Sequence, residues 1–236
     1  MSPAAPLLPY LMPLAFVALA GLRYMRGSGP SADTSAEWAV RKGFLPAEPP
    51  MTGATPLLRL PMGEADGCWQ VPVGDGTGTL FRWTWVVEDD RSPMMRELDQ
   101  PGGMRTAEVS VVQAMLAAGF PHFRVVPRHG FAAPAGDWDE QQVELESVEF
   151  GRQFRLLAGR DGDREALLRL FDPETIVWFI GLGDAAPVVE YGLGTLVVAT
   201  RYPCSTDVEY EALLEAAQRI AHRVLAEGLL HQPDPA

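Results

Sequence analysis

The chain has 236 residues, 47% of them hydrophobic and 21% charged, which excludes a disordered or fibrous composition. Nineteen Lys and Arg against 31 Asp and Glu leave a net charge of −12, the wrong sign for neutralising phosphates, so no nucleic-acid partner is expected. Two cysteines, Cys68 and Cys204, are too few for a disulfide scaffold or a four-thiolate zinc site. Lys42 is the only lysine and there is no asparagine, which points to a GC-rich genome and removes any N-glycosylation acceptor.

The first 22 residues carry no charged side chain and are strongly apolar from Leu11 to Ala20. A bilayer core about 30 Å thick needs about 20 helical residues, which residues 3–22 supply. Pro9 and Pro13 would kink that helix, a defect membranes tolerate better than water does. Arg23, Arg26, Arg41 and Lys42 follow the apolar run, so the positive-inside rule puts the amino terminus outside and the body in the cytoplasm. A secretory signal peptide is the alternative, since Ala18-Leu19-Ala20 has the form of a cleavage site and the body would then be exported. The organisation expected is an anchor over residues 1–26, a Gly/Ser linker over 27–35 and a folded domain over 36–232.

In the folded domain, Thr34 and Glu37 have capping-box spacing before a two-turn helix over residues 36–42 that Gly43 closes. Residues 44–66 read as irregular, with one strand at 57–60. A β-hairpin follows, residues 68–73 and 79–87 about a glycine-rich turn that contains Asp75-Gly76. Those glycines do not make a phosphate loop, because no Lys-Ser/Thr follows and the chain leads into a strand. Phe81, Trp83, Trp85 and Val87 alternate onto one face, a core-facing sheet surface.

Residues 88–105 form a polar loop holding Arg91, Met94 and Met95. Adjacent methionines are adaptable contacts, so these three are the candidate partner-binding residues. Further strands are expected at residues 108–116, 123–127, 143–147 and 154–157. Asp163 and Asp172 are positioned to cap two helices, the second with Pro173 at its favoured first position. A hairpin at 188–191 and 195–202 precedes the longest helix, which Thr206 and Glu209 open as a capping box and which carries Tyr210, Leu213, Ala217, Ile220, Ala221 and Val224 on one face. Strands outnumber helices and cluster as hairpins, so the expected class is α+β, an antiparallel sheet with a long C-terminal helix behind an N-terminal transmembrane helix.

The order of these motifs resembles a family of actinobacterial single-pass membrane proteins of uncharacterised role, distantly related to a bacterial domain of unknown function. Residues 143–156, a strand ending in Glu146-Ser147 and then Phe150 and Phe154, carry the likeness best, with Arg41-Lys42-Gly43-Phe44, Ala166-Leu167-Leu168, Asp172-Pro173 and Trp178 in support. Gly151 departs from the polar residue, often Asn, that relatives place there. The resemblance implies a membrane-anchored layout and an α+β body, and it assigns no activity.

Signals for chemistry are sparse. No His pair has the spacing that places two imidazoles on one helical face, no G-x-S-x-G elbow occurs, and neither acidic turn fits an EF-hand, so no cofactor and no metal is expected. The remaining catalytic candidates are His122 and His129, in loops or at strand ends, with Glu146 and Glu149; Glu144 and Glu146 would share a strand face. The cysteines read as buried thiols, reduced in a cytoplasmic body, and as a Cys68–Cys204 disulfide only if the chain is exported. Two functions follow: a membrane-anchored binding or accessory module with a protein partner in an envelope-associated complex, or a membrane-anchored enzyme working through the 122–149 region.

Overall fold

The computed structural model describes residues 31–50, 63–88, 104–128, 140–160 and 162–230. The expected anchor, the strand at 57–60, the Arg91–Met94–Met95 loop and His129 lie outside the described residues. Among the described residues nine strands make a single antiparallel sheet: β1 (Leu45–Pro46), β2 (Gly63–Val73), β3 (Gly76–Glu88), β4 (Met104–Met115), β5 (Phe123–Pro127), β6 (Glu140–Val143), β7 (Phe154–Gly159), β8 (Val188–Gly192) and β9 (Thr195–Ala199). Their order across the sheet is β1-β2-β3-β4-β9-β8-β5-β7-β6. The expected α+β class with an antiparallel sheet is what the chain adopts.

Among the described residues five α-helices accompany it: α1 (Ser31–Arg41), α2 (Val148–Gln153), α3 (Arg164–Leu170), α4 (Pro173–Leu182) and α5 (Asp207–Leu230). No helix among the described residues is long and apolar enough to cross a membrane. The apolar stripe of α5 is buried as its spacing predicts, and the helix packs on β2, β4 and β9. Its capping box forms: Glu209 N donates to Thr206 Oγ1 at 3.3 Å and Thr206 N to Glu209 Oε2 at 3.0 Å. Asp163 and Asp172 cap α3 and α4 as expected, accepting from Ala166 N at 3.1 Å and Thr175 N at 2.8 Å.

Three expectations are corrected. The first helix starts at Ser31, inside the segment read as linker, so Thr34 lies within the helix and is not its cap. Burial of Trp38 and Ala39 holds α1 in place, with Trp38 stacked on Tyr210 at 5.1 Å. Residues 44–66 are not wholly irregular: β1 pairs with β2, which begins at Gly63 and absorbs an extra residue between Asp66 and Trp69, where Gly67 takes φ +59°. The strand expected at 143–147 ends at Val143, so Glu144 and Glu146 share no strand face. Ser147 instead opens α2, accepting from Phe150 N at 3.2 Å. Alternation misled here because Val143 and Leu145 mimic a strand, while the Ser-x-x-Phe cap and the aromatic packing of Phe150 decide for a helix.

The sheet carries a core on each face. On the helix side Phe123, Phe150, Phe154, Phe171 and Phe179 join Tyr191 and the stripe of α5. On the other side Phe81, Trp83, Val109, Val111, Val126, Val188, Val197 and Ala199 form a second core, all from strands. Trp85 packs against that second core, which places the aromatic stripe of β3 where alternation put it. Cys204 belongs to the first core and Cys68 packs on the second, and both are free thiols. A Cys68–Cys204 disulfide would have to pass through the sheet.

Candidate functional site

The feature the sequence reading missed is a row of buried polar side chains across the second face. Register places Arg124 of β5 opposite Glu190 of β8, Glu190 opposite Val197 of β9, and Val197 opposite Gln113 of β4. Arg124 is 3% exposed and Glu190 0%, while Gln113 is also buried. Both charged residues interrupt otherwise apolar runs, Phe-Arg-Val-Val and Val-Val-Glu-Tyr, whose residues are all buried. Directly opposed residues in an antiparallel pair have Cβ atoms about 5 Å apart, within reach of a guanidinium and a carboxylate. Burying either charge by itself would cost several kcal/mol, so a register that sets the two opposite one another is favoured over one that separates them.

His122 stands one row further along the same face. A Cβ added at Gly192 would lie 3.0 Å from its Cδ2, and one at Gly159 would lie 3.9 Å from its Nδ1, so the ring sits between β7 and β8 where two glycines make room. Burial, and secondarily the charge of Arg124, push its pKa down from 6.5 to about 4. The imidazole is therefore neutral near pH 7. Thr195, opposite Gly192, is buried in this row, and its hydroxyl donates to Met115 Sδ at 3.1 Å.

The other catalytic candidates lie elsewhere. Glu149 is exposed in the first turn of α2, accepting from Gln153 Nε2 at 2.8 Å and lying 3.6 Å from Arg152. Glu146 is exposed in the connection before that helix. Phe123 pairs with Ala158 and Pro127 with Phe154, so the length of β7, roughly 15 Å, separates His122 from the end of the strand that α2 feeds. Among the described residues no group of three or more His, Cys, Asp and Glu is arranged to hold a metal ion. His222 is exposed on α5.

A second feature is a cleft of about 180 Å³ at the start of α5, between the end of α4 and the connection that leaves β9. Leu182, Pro187, Pro203, Leu213 and Ala216 supply its apolar wall, and Thr200, Arg201, Cys204 and Glu209 its polar one. Burial pushes the Cys204 thiol up to about 11, which leaves it protonated and a poor nucleophile.

No family model matches the sequence, and no curated protein matches it. Among solved structures the chain is similar to the mycobacterial trehalose monomycolate transport factor TtfA. The match has a TM-score of 0.53 at 12% identity and covers 87% of this chain and 98% of that one. The two share a fold. The coverage takes in nearly all of the neighbour, so the likeness concerns the whole sheet-and-helix body and not one motif within it. Its mycobacterial source is in keeping with the actinobacterial resemblance read from the sequence.

Proposed function

We propose that this chain is a membrane-anchored accessory module, a non-catalytic binding component of an envelope-associated complex with its body on the cytoplasmic side. The observation that carries the reading is the fold shared with a protein named as a trehalose monomycolate transport factor. The apolar, uncharged run at residues 3–22 followed by Arg23 and Arg26 supports attachment to the bilayer, and the acidic net charge supports a protein partner over nucleic acid. Within this reading Met94, Met95 and Arg91 contact the partner.

The test is to tag the full-length chain, to replace Met94 and Met95 together with serine, and to compare what each form retains from mildly solubilised membranes. A stoichiometric partner kept by the natural chain and lost by the double variant is the expected result; recovery of both forms alone overturns the reading. Removing residues 1–26 tests the tether, and a truncated chain that still sediments with membranes would contradict it. The alternative, export after cleavage, predicts a mature amino terminus near Gly21, which terminal sequencing of the native protein decides. A catalytic reading rests on the packing of the His122 ring against Gly192 and Gly159, and requires that His122→Gln abolish function while leaving the fold intact.

A further inference from the structure

Helix α4 is apolar around its whole circumference. After Glu174 it reads Thr-Ile-Val-Trp-Phe-Ile-Gly-Leu, without a charged side chain, yet only Thr175 and Phe179 are buried. A helix of that composition is ordinarily enclosed on every side. Here one side meets the core, where the Phe179 ring lies 6.0 Å from Phe150 and 5.8 Å from Phe154. A second meets α5, where the Arg219 guanidinium stands 5.1 Å from the centre of the Trp178 ring. The outer side leaves Val177 67% exposed, with the exposed Gly181 one turn further on.

Two observations bear on what covers that side. The first is Gly181 itself. Glycine weakens an exposed helix relative to alanine, and among the described residues a Cβ added at Gly181 would meet nothing within 4 Å. The missing side chain leaves room for another backbone to come close beside the methyl groups of Val177, a clearance that a helix uses and a lipid tail does not need. The second is charge. Neighbouring α2 opens with Val148, 70% exposed, and around it the exposed Glu144, Glu146 and Glu149 outnumber the exposed Arg128 and Arg152. On the opposite flank of α4, Arg219 and Arg223 are matched by Glu174 and Asp172 at 2.7 Å each. With −12 on the whole chain, the potential over this face is negative.

We propose that the outer face of α4, with Val148 of α2 beside it, seats an amphipathic helix of a partner protein whose polar side is basic. Its apolar side covers Val177 and passes over Gly181, and its Lys or Arg side chains face Glu144 and Glu146. The proposal rests on the accessory-module reading and names a docking surface within it. Cytoplasmic flanks of integral membrane proteins are rich in Lys and Arg, so a body tethered on that side meets helices of this kind.

In the test, the full-length chain in phosphatidylcholine nanodiscs is titrated with a helical peptide of about 14 residues built from leucine and lysine, and with its leucine–glutamate counterpart. Hydrogen exchange read by mass spectrometry locates the contact. The lysine peptide should slow exchange in residues 148–153 and 173–182, and the glutamate peptide should leave both unchanged. Gly181→Gln fills the clearance without touching the rest of the chain. It should weaken the lysine peptide at least about tenfold while leaving the melting temperature unchanged or raised. Glu144→Gln with Glu146→Gln should weaken it about threefold and flatten its salt dependence. Contact that falls elsewhere, or an affinity unmoved by Gly181→Gln, overturns the proposal. Exchange at 173–182 that is already slow in nanodiscs, with the peptide adding nothing, overturns it in favour of the bilayer. Slowing that follows protein concentration alone overturns it in favour of a second copy. The membrane pull-down separates this surface from the reading beneath it. A natural chain recovered alone removes the accessory reading, whereas a partner kept equally by the natural chain and by Gly181→Gln removes only the α4 surface.

Discussion

Replacing Arg124 with methionine removes the cation that register places opposite Glu190, which is fully buried. Two unit charges about 4 Å apart attract by about 4 kcal/mol at an effective dielectric of 20. Removing one member of such a buried pair costs about 3–5 kcal/mol, because the remaining charge keeps its desolvation penalty. Glu190→Leu should cost a similar amount by leaving the guanidinium stranded. In a domain of this size about 1 kcal/mol moves the melting temperature by about 2–4 °C, so each single variant should melt about 6–20 °C lower. The double variant Arg124→Met with Glu190→Leu removes both charges and fills the space with apolar atoms, so it should recover most of the loss. Urea denaturation of the four forms gives the coupling energy directly, expected at 2 kcal/mol or more by the estimate above. Additivity of the single losses to within about 0.5 kcal/mol would refute the account, since independent residues behave that way.

Three further outcomes are expected. The unfolded chain protonates His122 near pH 6.5 and the folded chain only near pH 4, so this residue contributes a loss of stability as pH falls through that window; His122→Gln should flatten the difference, and an imidazole seen by NMR to titrate near pH 6.5 in the folded protein would contradict it. Leu193, at the tip of the β8–β9 hairpin, holds φ +50° with its side chain 76% exposed, so Leu193→Asn should stabilise the protein by about 1 kcal/mol in urea denaturation, and a loss of stability would mean that the side chain is held by packing. Ser147→Ala removes the cap of α2 and should cost about 1 kcal/mol by the same measurement, with an unchanged midpoint counting against the cap.

Much of the fold was legible because local signals agreed with tertiary packing. Asp163, Asp172-Pro173 and Thr206-x-x-Glu209 are chemical statements about unpaired amides at helix starts, and each forms the cap its spacing promised. The stripe of α5 and the aromatic alternation of β3 likewise record which face is buried. Ser147 misled because four residues of alternation at 143–146 satisfy a strand as well as a loop, and only the clustering of Phe150 with Phe154 and Phe179, set by distant segments, makes α2 worth forming. The buried row was half visible. A lone charge inside Phe-Arg-Val-Val-Pro and another inside Val-Val-Glu-Tyr-Gly each broke a run that was otherwise apolar, and each alone reads as an exposed face. That they oppose one another is a fact of register between strands more than sixty residues apart, which no local pattern encodes. The cleft was not legible, since it consists of the space that alanines and prolines leave unfilled.

The central claim, an accessory subunit held at the membrane, is tested most directly by recovering the full-length chain, tagged at Ala236, from mildly solubilised membranes of its native host. The account predicts a reproducible partner at fixed stoichiometry that is an integral envelope protein and that disappears when residues 1–26 are removed. Recovery of the chain alone, across several mild detergents, would contradict it.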